Sequence, residues 1–324
     1  MEYLSLGYEV KQTKKQMSKV GRMVSLYTVS LFVASVVYMV GYLVAYMIKH
    51  PEVKDMTTHQ MQEVFDKIAG SGGVYLFSVP IAFLIIILYR KKQLFTHDLV
   101  VKNKGMTGKA LAVVSICMLG IQFMFTMSSV GLEAVLNQFG YTIMKDVNAA
   151  SAQSVTISMF LYAGVLGPIV EEVIFRGAVL RSLEKYGKVF AIVVSSILFG
   201  LFHGNLVQGI FAVMVGLVLA YVTEEYSIKC AMLLHILNNT VSDLVGLLTK
   251  GLGENVACFI NFTVFTVAFI IAMIYLIRNR KSIKEYRMDH PTVEKSYRYM
   301  FTRIWVVLFI VVEVFLAIGG IEKL

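Results

Sequence analysis

The chain has 324 residues, of which 57% are hydrophobic and only 16% are charged. A soluble domain of ordinary composition carries about a quarter charged residues. The mean hydropathy of +0.70 therefore excludes an ordinary water-soluble protein. The three cysteines all lie in apolar runs, which argues against a disulfide framework and against a soluble zinc module.

Apolar runs long enough to cross a bilayer follow one another along the whole chain. They predict an all-α polytopic membrane protein with eight to nine transmembrane helices. The last run carries Glu313 and can instead lie at the membrane interface. The predicted spans are residues 23–48, 73–89, 110–133, 152–175, 189–208, 210–226, 230–249, 257–277 and 304–320.

The net charge of +9 is distributed as a topology signal. With the N-terminus in the cytoplasm, most of the 30 Lys and Arg residues fall on the cytoplasmic side of the predicted spans. This asymmetry accounts for the basic charge without a nucleic-acid partner. It predicts a multi-pass membrane protein with a cytoplasmic N-terminus, and it makes the lipid bilayer the partner of the basic segments.

The spans divide the chain into three parts. Residues 1–149 hold a cytoplasmic tail and three transmembrane helices. Residues 150–249 hold the core helices in which polar motifs are concentrated, and we expect the functional site there. Residues 250–324 hold one or two further transmembrane helices and a basic cytoplasmic segment.

Three polar motifs stand in consecutive spans of the central part. The first is Glu171-Glu172 followed by Arg176, the second is Phe199 with His203, and the third is His235 with Asn239. Ionisable side chains inside a membrane cost several kcal/mol and by default mark a functional site. Their concentration in three successive spans therefore predicts a membrane enzyme.

Helical spacing predicts how these groups are arranged. Residues four apart share a helix face, so Glu172 and Arg176 are expected to form an ion pair, while the adjacent Glu171 points about 100° away. By the same spacing, His235 and Asn239 face one cavity. One carboxylate is thus held by a partner, and the other is left for a different task.

A predicted helical hairpin brings the first two motifs together. Gly187 is expected to end the helix that carries Glu171, and His203 follows Gly187 at the same separation of 16 residues. In an antiparallel pair of helices, both side chains would then lie about 24 Å from the turn. The sequence therefore predicts that Glu171, His203 and His235 meet in one cavity open toward the cytoplasm.

Two chemical schemes fit such a cavity. A carboxylate beside an imidazole can deprotonate a water, while a second imidazole and a carboxamide stabilise the developing oxyanion. Alternatively, Glu171, His203 and His235 ligate one zinc ion that activates the water. Both schemes hydrolyse amide bonds, and the residue types leave both open. Phe199 is expected to pack against the ring of His203.

The motifs Glu-Glu-x-x-x-Arg, Phe-x-x-x-His and His-x-x-x-Asn, in this order, resemble the CPBP family. This family comprises the type II CAAX prenyl endopeptidases and the bacterial bacteriocin-processing and immunity proteins called Abi proteins. The resemblance covers roughly residues 150–245 and implies an all-helical intramembrane endopeptidase. It implies that Glu171 and His203 activate the water, that His235 and Asn239 hold the oxyanion, and that Glu172 and Arg176 support the first motif.

The same resemblance leaves cofactor and substrate open. The family is described both as metalloproteases, with zinc as the divalent metal expected here, and as enzymes with a metal-independent glutamate mechanism. The expected substrate is a peptide or protein, such as a bacteriocin or signalling-peptide precursor, cleaved near the cytoplasmic side. The alternative function is a non-proteolytic membrane immunity or scaffolding protein. A transporter is disfavoured because no internal symmetry is evident.

Overall fold

The computed structural model of the protein describes residues 2–151, 156–248 and 252–324. Nearly all of these residues are helical, so the all-α prediction is confirmed. The described strands, β1 (Tyr141–Thr142) and β2 (Glu322–Lys323), form one short antiparallel pair. The first four residues of the predicted span 152–175, and the last residue of the span 230–249, lie outside the described residues.

The helices are numbered here in chain order. They are α1 (Glu2–Lys49), α2 (Thr58–Ala69), α3 (Gly73–Arg90), α4 (Gly108–Asn137), α5 (Met144–Ser151), α6 (Ile157–Tyr186), α7 (Lys188–Leu201), α8 (Leu206–Glu225), α9 (Ile228–Leu248), α10 (Glu254–Arg278), α11 (Arg280–Asp289), α12 (Ser296–Phe301) and α13 (Ile304–Gly319).

A helix lies at each of the nine predicted spans. In the part of the chain that the structure describes, α1, α3, α4, α6, α8 and α10 are long and apolar enough to cross a membrane. Helices α7 and α13 are apolar but have only 14 and 16 residues, while α9 contains the polar third motif. The protein is therefore a polytopic membrane protein, and the total of eight to nine spans stays a prediction.

The predicted span 189–208 is wrong at its C-terminal end. Helix α7 ends at Leu201, and a turn with Gly204 at φ +55° separates it from α8. The side chain of Asn205 then caps α8 by accepting a hydrogen bond from the Gln208 N–H. Because both helices are apolar, hydropathy did not reveal the break. His203 consequently lies in a turn and not within a helix.

Helix α6 changes its winding around the two glutamates. Residues Leu161–Leu166 and Val173–Leu180 are π-helical, and the segment Gly167–Glu172 between them is α-helical. Wide π turns inside helices occur frequently at functional sites. The predicted end of this helix is confirmed, since Gly187 (φ +120°) lies between α6 and α7. A Cβ at Gly187 would lie 2.7 Å from the Pro291 oxygen.

The buried core sits where α6 and α7 pack against α8, with α1, α3 and α13 around them. Phe175 and Phe190 are fully buried there. In contrast, Phe259 of α10 and Phe315 of α13 are 70% and 75% exposed. Such apolar outer surfaces are expected where helices face lipid, because the bilayer does not penalise them.

Candidate active site

Glu172 is the most enclosed member of the first motif. Its side chain is fully buried, and its Oε1 lies 3.0 Å from the Arg176 guanidinium. The ion pair predicted from the four-residue spacing is therefore present. The same Oε1 lies 2.9 Å from Nδ1 of His235. One carboxylate oxygen thus connects α6 to α9, whose third motif carries that histidine.

The partner of His235 determines which ring nitrogen is free. Because Glu172 is paired with Arg176, its carboxylate accepts the hydrogen bond and His235 donates through Nδ1. In neutral His235, Nε2 then carries the lone pair. That atom lies 3.7 Å from Oε2 of Glu171. A lone pair and a carboxylate oxygen therefore face each other across a distance that a water molecule can bridge.

Glu171 differs from its neighbour in accessibility. Its side chain is 20% exposed, whereas that of Glu172 is 0% exposed. The adjacent positions point to different sides of α6, as the sequence predicted. Glu171 is therefore the carboxylate of this pair that a substrate and solvent can reach.

His203 is oriented by the end of helix α7. Its Nδ1 lies 2.9 Å from the carbonyl oxygen of Phe199. A carbonyl only accepts, so Nδ1 carries the proton and Nε2 is the free nitrogen of the neutral ring. Both Glu171 and His235 act electrostatically on this imidazole. The structure thus brings the three predicted ionisable groups into one neighbourhood, although His203 reaches it from a turn.

Phe199 forms the apolar wall of this neighbourhood. Its ring lies edge-to-face against His203, with ring centroids 4.9 Å apart, which confirms the predicted packing. It also meets His235 edge-to-face at 5.7 Å. The Arg176 guanidinium lies 4.3 Å from the centre of the Phe199 ring. This ring therefore fixes both imidazoles and covers the buried cation at the same time.

Arg176 is held mainly by its burial and by Glu172. One of its terminal nitrogens donates to the Gly216 carbonyl of α8 at 3.3 Å. Its Nε and the second carboxylate oxygen of Glu172, both buried, have no hydrogen-bond partner among the described residues. Buried polar atoms are nearly always paired in proteins, so unpaired ones concentrate at strained or functional places.

Asn239 joins the site from its outer edge. It lies one turn beyond His235 on α9, and its amide donates to the Ala163 carbonyl at 3.0 Å. That carbonyl belongs to the first π-helical segment of α6. The side chain is exposed, and one amide hydrogen remains for another acceptor. Asn239 therefore borders the neighbourhood without a hydrogen bond to another predicted site residue in the described part of the chain.

Two tyrosines near Glu171 were missed by the sequence analysis. Glu171 acts electrostatically on the hydroxyls of Tyr27 in α1 and Tyr162 in α6. The Tyr27 ring is 2% exposed and packs against Phe202 with centroids 5.8 Å apart. No sequence signal marked these residues, because tyrosines are common in membrane helices. Helix α1, outside the predicted core part, therefore contributes to the wall of the site.

The donor set does not form a complete zinc site. Glu171 and His235 offer two neighbouring donors, but tetrahedral catalytic zinc sites use three protein ligands. Within residues 2–151, 156–248 and 252–324, no group of three His, Cys, Asp or Glu side chains is arranged to hold a metal ion. The zinc option stays a prediction, and the mechanism proposed below has no step through a metal.

A protein-family model matches residues 153–241 of the chain. The matching model is described as "Rce1-like: Type II CAAX prenyl endopeptidase Rce1-like". The predicted family resemblance of the central segment is confirmed. The matched segment contains all three motifs and corresponds to α6 through most of α9. At the level of the family, it supports an intramembrane endopeptidase of the CAAX type. No curated protein and no solved structure matches the chain.

Proposed function

We propose that the protein is an intramembrane endopeptidase in which Glu171 activates the hydrolytic water. The observation that carries the proposal is the 3.7 Å approach of Glu171 Oε2 to His235 Nε2, on an accessible carboxylate beside a fully buried one. A water at this position can donate one hydrogen to each atom. Its oxygen lone pair is then directed at a peptide carbonyl bound on the open side.

The reaction has two proton transfers. Glu171 accepts a proton as the water oxygen attacks the carbonyl carbon of the scissile bond. The C–N bond of the tetrahedral intermediate then breaks, and the proton held by Glu171 passes to the leaving amine. The carboxylate is regenerated, so the cycle consumes one water and one peptide bond.

The surrounding residues prepare this reaction. Glu172 fixes the tautomer of His235 through Nδ1, as the carboxylate partner of a catalytic imidazole does. His203, oriented by the Phe199 carbonyl, adds a second imidazole beside the Glu171 carboxylate. The remaining amide hydrogen of Asn239 is the donor proposed for the carbonyl oxygen as negative charge develops.

The substrate is proposed to be a peptide or a protein segment cleaved near the cytoplasmic surface, such as a bacteriocin or signalling-peptide precursor. Three observations support this substrate class: the family match, the enclosed site, and the basic segments predicted to lie on the cytoplasmic side. A C-terminal CAAX peptide with a prenylated cysteine is the first substrate to test, because it is the class named for the matching family.

The test compares Glu171→Gln with the wild type in reconstituted vesicles. Prenylated CAAX peptides and unprenylated precursor peptides are supplied, and products are identified by mass spectrometry. We expect Glu171→Gln to lower kcat/KM by about three orders of magnitude or more, because no other exposed carboxylate of the motif replaces the base. Its thermal unfolding should match that of the wild type, since the Glu171 side chain forms no hydrogen bond with the described residues and lies no closer than 3.7 Å to His235.

The matched control is Glu63→Gln, which removes one exposed carboxylate far from the motifs and should leave cleavage unchanged. Wild-type cleavage that persists in Glu171→Gln would contradict the proposed base. A protein that cleaves nothing, but whose Glu171→Gln variant still restores a deletion strain, would instead support the immunity or scaffolding function.

A further inference from the structure

A cavity lies at the N-terminal end of α7, away from the Glu171 site. Its volume is about 400 Å³. Val193 precedes Leu201, the last residue of α7 before the His203 turn, by eight residues, which corresponds to about 12 Å of helix. This cavity is therefore a separate feature of the molecule. Its lining residues are Val189, Val193, Arg287, His290, Thr292 and Tyr297.

The rim of the cavity carries groups that can bind an anion. The exposed Arg287 guanidinium makes no ion pair with a carboxylate among the described residues. His290 directs Nδ1 at the carbonyl oxygen of Tyr286, at 2.8 Å, and so leaves Nε2 free. The Tyr297 hydroxyl, which also lines the cavity, is protonated at neutral pH and can donate a hydrogen bond. A guanidinium beside neutral donors is the arrangement that recognises phosphate groups.

The floor of the cavity is apolar. Val189 and Val193 are four residues apart, so they present one face of α7 to the cavity. On the other side, helix α11 exposes Ile283 (48%) and Met288 (66%) among its basic residues. Apolar and basic side chains on one short helix are typical of the membrane interface. The cavity thus combines a cationic rim with an apolar floor, and helix α11 beside it is of the kind that lies at the membrane interface.

The surrounding backbone holds this cavity open. The N–H of Val293 donates to the Tyr186 carbonyl at 2.9 Å and ties the loop after α11 to the end of α6. The rings of Phe190 and Tyr297 meet edge-to-face at 4.9 Å. The rim and the floor are therefore fixed relative to each other before any ligand binds, which lowers the entropic cost of binding.

We propose that this cavity binds the phosphate headgroup of an anionic phospholipid. Arg287 contacts the phosphate, with Tyr297 and His290 as neutral partners, and the start of an acyl chain covers Val189 and Val193. The segment 278–303 adds attraction of longer range, since it has eight Lys or Arg residues and three Asp or Glu residues. This lipid site is independent of the peptidase activity proposed above.

The test measures lipid binding to the purified full-length protein in a neutral detergent by native mass spectrometry. The probes are dioctanoyl phosphatidylglycerol, dioctanoyl phosphatidylcholine and inorganic phosphate. The variant is Arg287→Gln. The matched control is Arg280→Gln, which removes the same charge from the same helix but does not line the cavity. Val189→Phe fills the floor without a change of charge.

We expect phosphatidylglycerol to bind more tightly than phosphatidylcholine. Arg287→Gln should weaken the binding of phosphatidylglycerol about tenfold, which is the effect of losing one charge-assisted hydrogen bond. With Arg280→Gln, the binding of phosphatidylglycerol should stay within about twofold of that of the wild type. Val189→Phe should also weaken it. Equal losses in Arg287→Gln and Arg280→Gln would overturn the proposal, because the attraction would then be general. Inorganic phosphate binding as tightly as the lipid would overturn it too, since the acyl contact would contribute nothing.

Discussion

Two buried arginines of this fold are paired with carboxylates in different ways. Arg90 of α3 donates to both oxygens of Asp98, at 2.6 Å each, and to the Ser182 hydroxyl at 2.8 Å. Arg176 meets a single oxygen of Glu172 and leaves its Nε without a hydrogen bond among the described residues. Each nitrogen of the Arg90 guanidinium donates a hydrogen bond, whereas the Nε of Arg176 donates none to the described residues.

The difference separates a structural ion pair from one that belongs to a site. A bidentate pair with a third acceptor, the Ser182 hydroxyl, repays the cost of burying its charges, and it joins α3 to the end of α6. In the Arg176 pair, the carboxylate oxygen is shared with His235, so it also holds the imidazole that is proposed to take part in catalysis. A buried ion pair by itself therefore does not indicate a functional site, whereas a carboxylate oxygen shared between Arg176 and His235 does.

Removing the carboxylate of each pair tests whether the two pairs differ in function. Asp98→Ala and Glu172→Ala each leave a buried arginine unpaired, so each should lower the free energy of unfolding by about 3–5 kcal/mol. Only Glu172→Ala should also abolish cleavage, because His235 loses the acceptor that fixes its tautomer. Thermal unfolding in detergent and cleavage at low temperature measure the two effects. Cleavage lost equally in Asp98→Ala would remove the distinction.

Replacing the whole Arg176 pair separates stability from activity. The double variant Glu172→Met, Arg176→Met replaces an ion pair by apolar side chains of similar volume, which is often neutral or stabilising by about 1–4 kcal/mol. We expect a folded and stable protein without peptidase activity. Chemical denaturation compared with Glu172→Ala measures this effect. A double variant as unstable as Glu172→Ala would show that packing around Phe199, and not the unpaired charge, controls stability.

The hydroxyl of Tyr27 tests whether α1 contributes to the site beyond packing. Tyr27→Phe keeps the ring against Phe202 but removes the hydroxyl that interacts electrostatically with Glu171. We expect kcat/KM to fall about tenfold, equivalent to about 1.4 kcal/mol, with little change in unfolding temperature. Unchanged kinetics would limit Tyr27 to a packing role.

A comparable effect, on stability as well as on cleavage, is expected at the turn that carries His203. Gly204 has φ +55°, and a Cβ there would lie 3.3 Å from Glu313 Oε2. Gly204→Ala should therefore cost about 1–2 kcal/mol of unfolding free energy and lower cleavage by displacing His203. The control is Gly131→Ala in α4, where a Cβ meets nothing within 4 Å. That variant should be neutral or slightly stabilising.

Local patterns predicted part of the candidate site correctly. The four-residue spacing identified the Glu172–Arg176 pair, because residues at that spacing meet on any helix. At His203 the predicted contact with Phe199 forms, but the predicted helix was wrong, because α7 ends two residues earlier at Leu201. An apolar sequence on both sides of a turn gives no hydropathy signal, and only Gly204 hinted at the break.

The individual hydrogen bonds and contacts between distant parts of the chain were not predicted. The hydrogen bond between Glu172 and His235 joins residues 63 positions apart, and Tyr27 reaches the site from the first helix. The π-helical winding of α6 also lacked a sequence signal. The cavity at Arg287 and the Arg90 cluster depend in the same way on how separate helices pack. Each arises from non-local contacts that no spacing rule encodes.

By itself, the sequence determined the membrane environment, the helical architecture, the family of the central segment and the residue types of the site. These follow from composition and from helical periodicity, which act over a few residues. Only the packing of the helices buried the predicted Glu172–Arg176 pair against His235 and left the Glu171 carboxylate accessible. The reason is that burial and tautomer depend on the neighbours that packing supplies, and those neighbours come from distant parts of the chain.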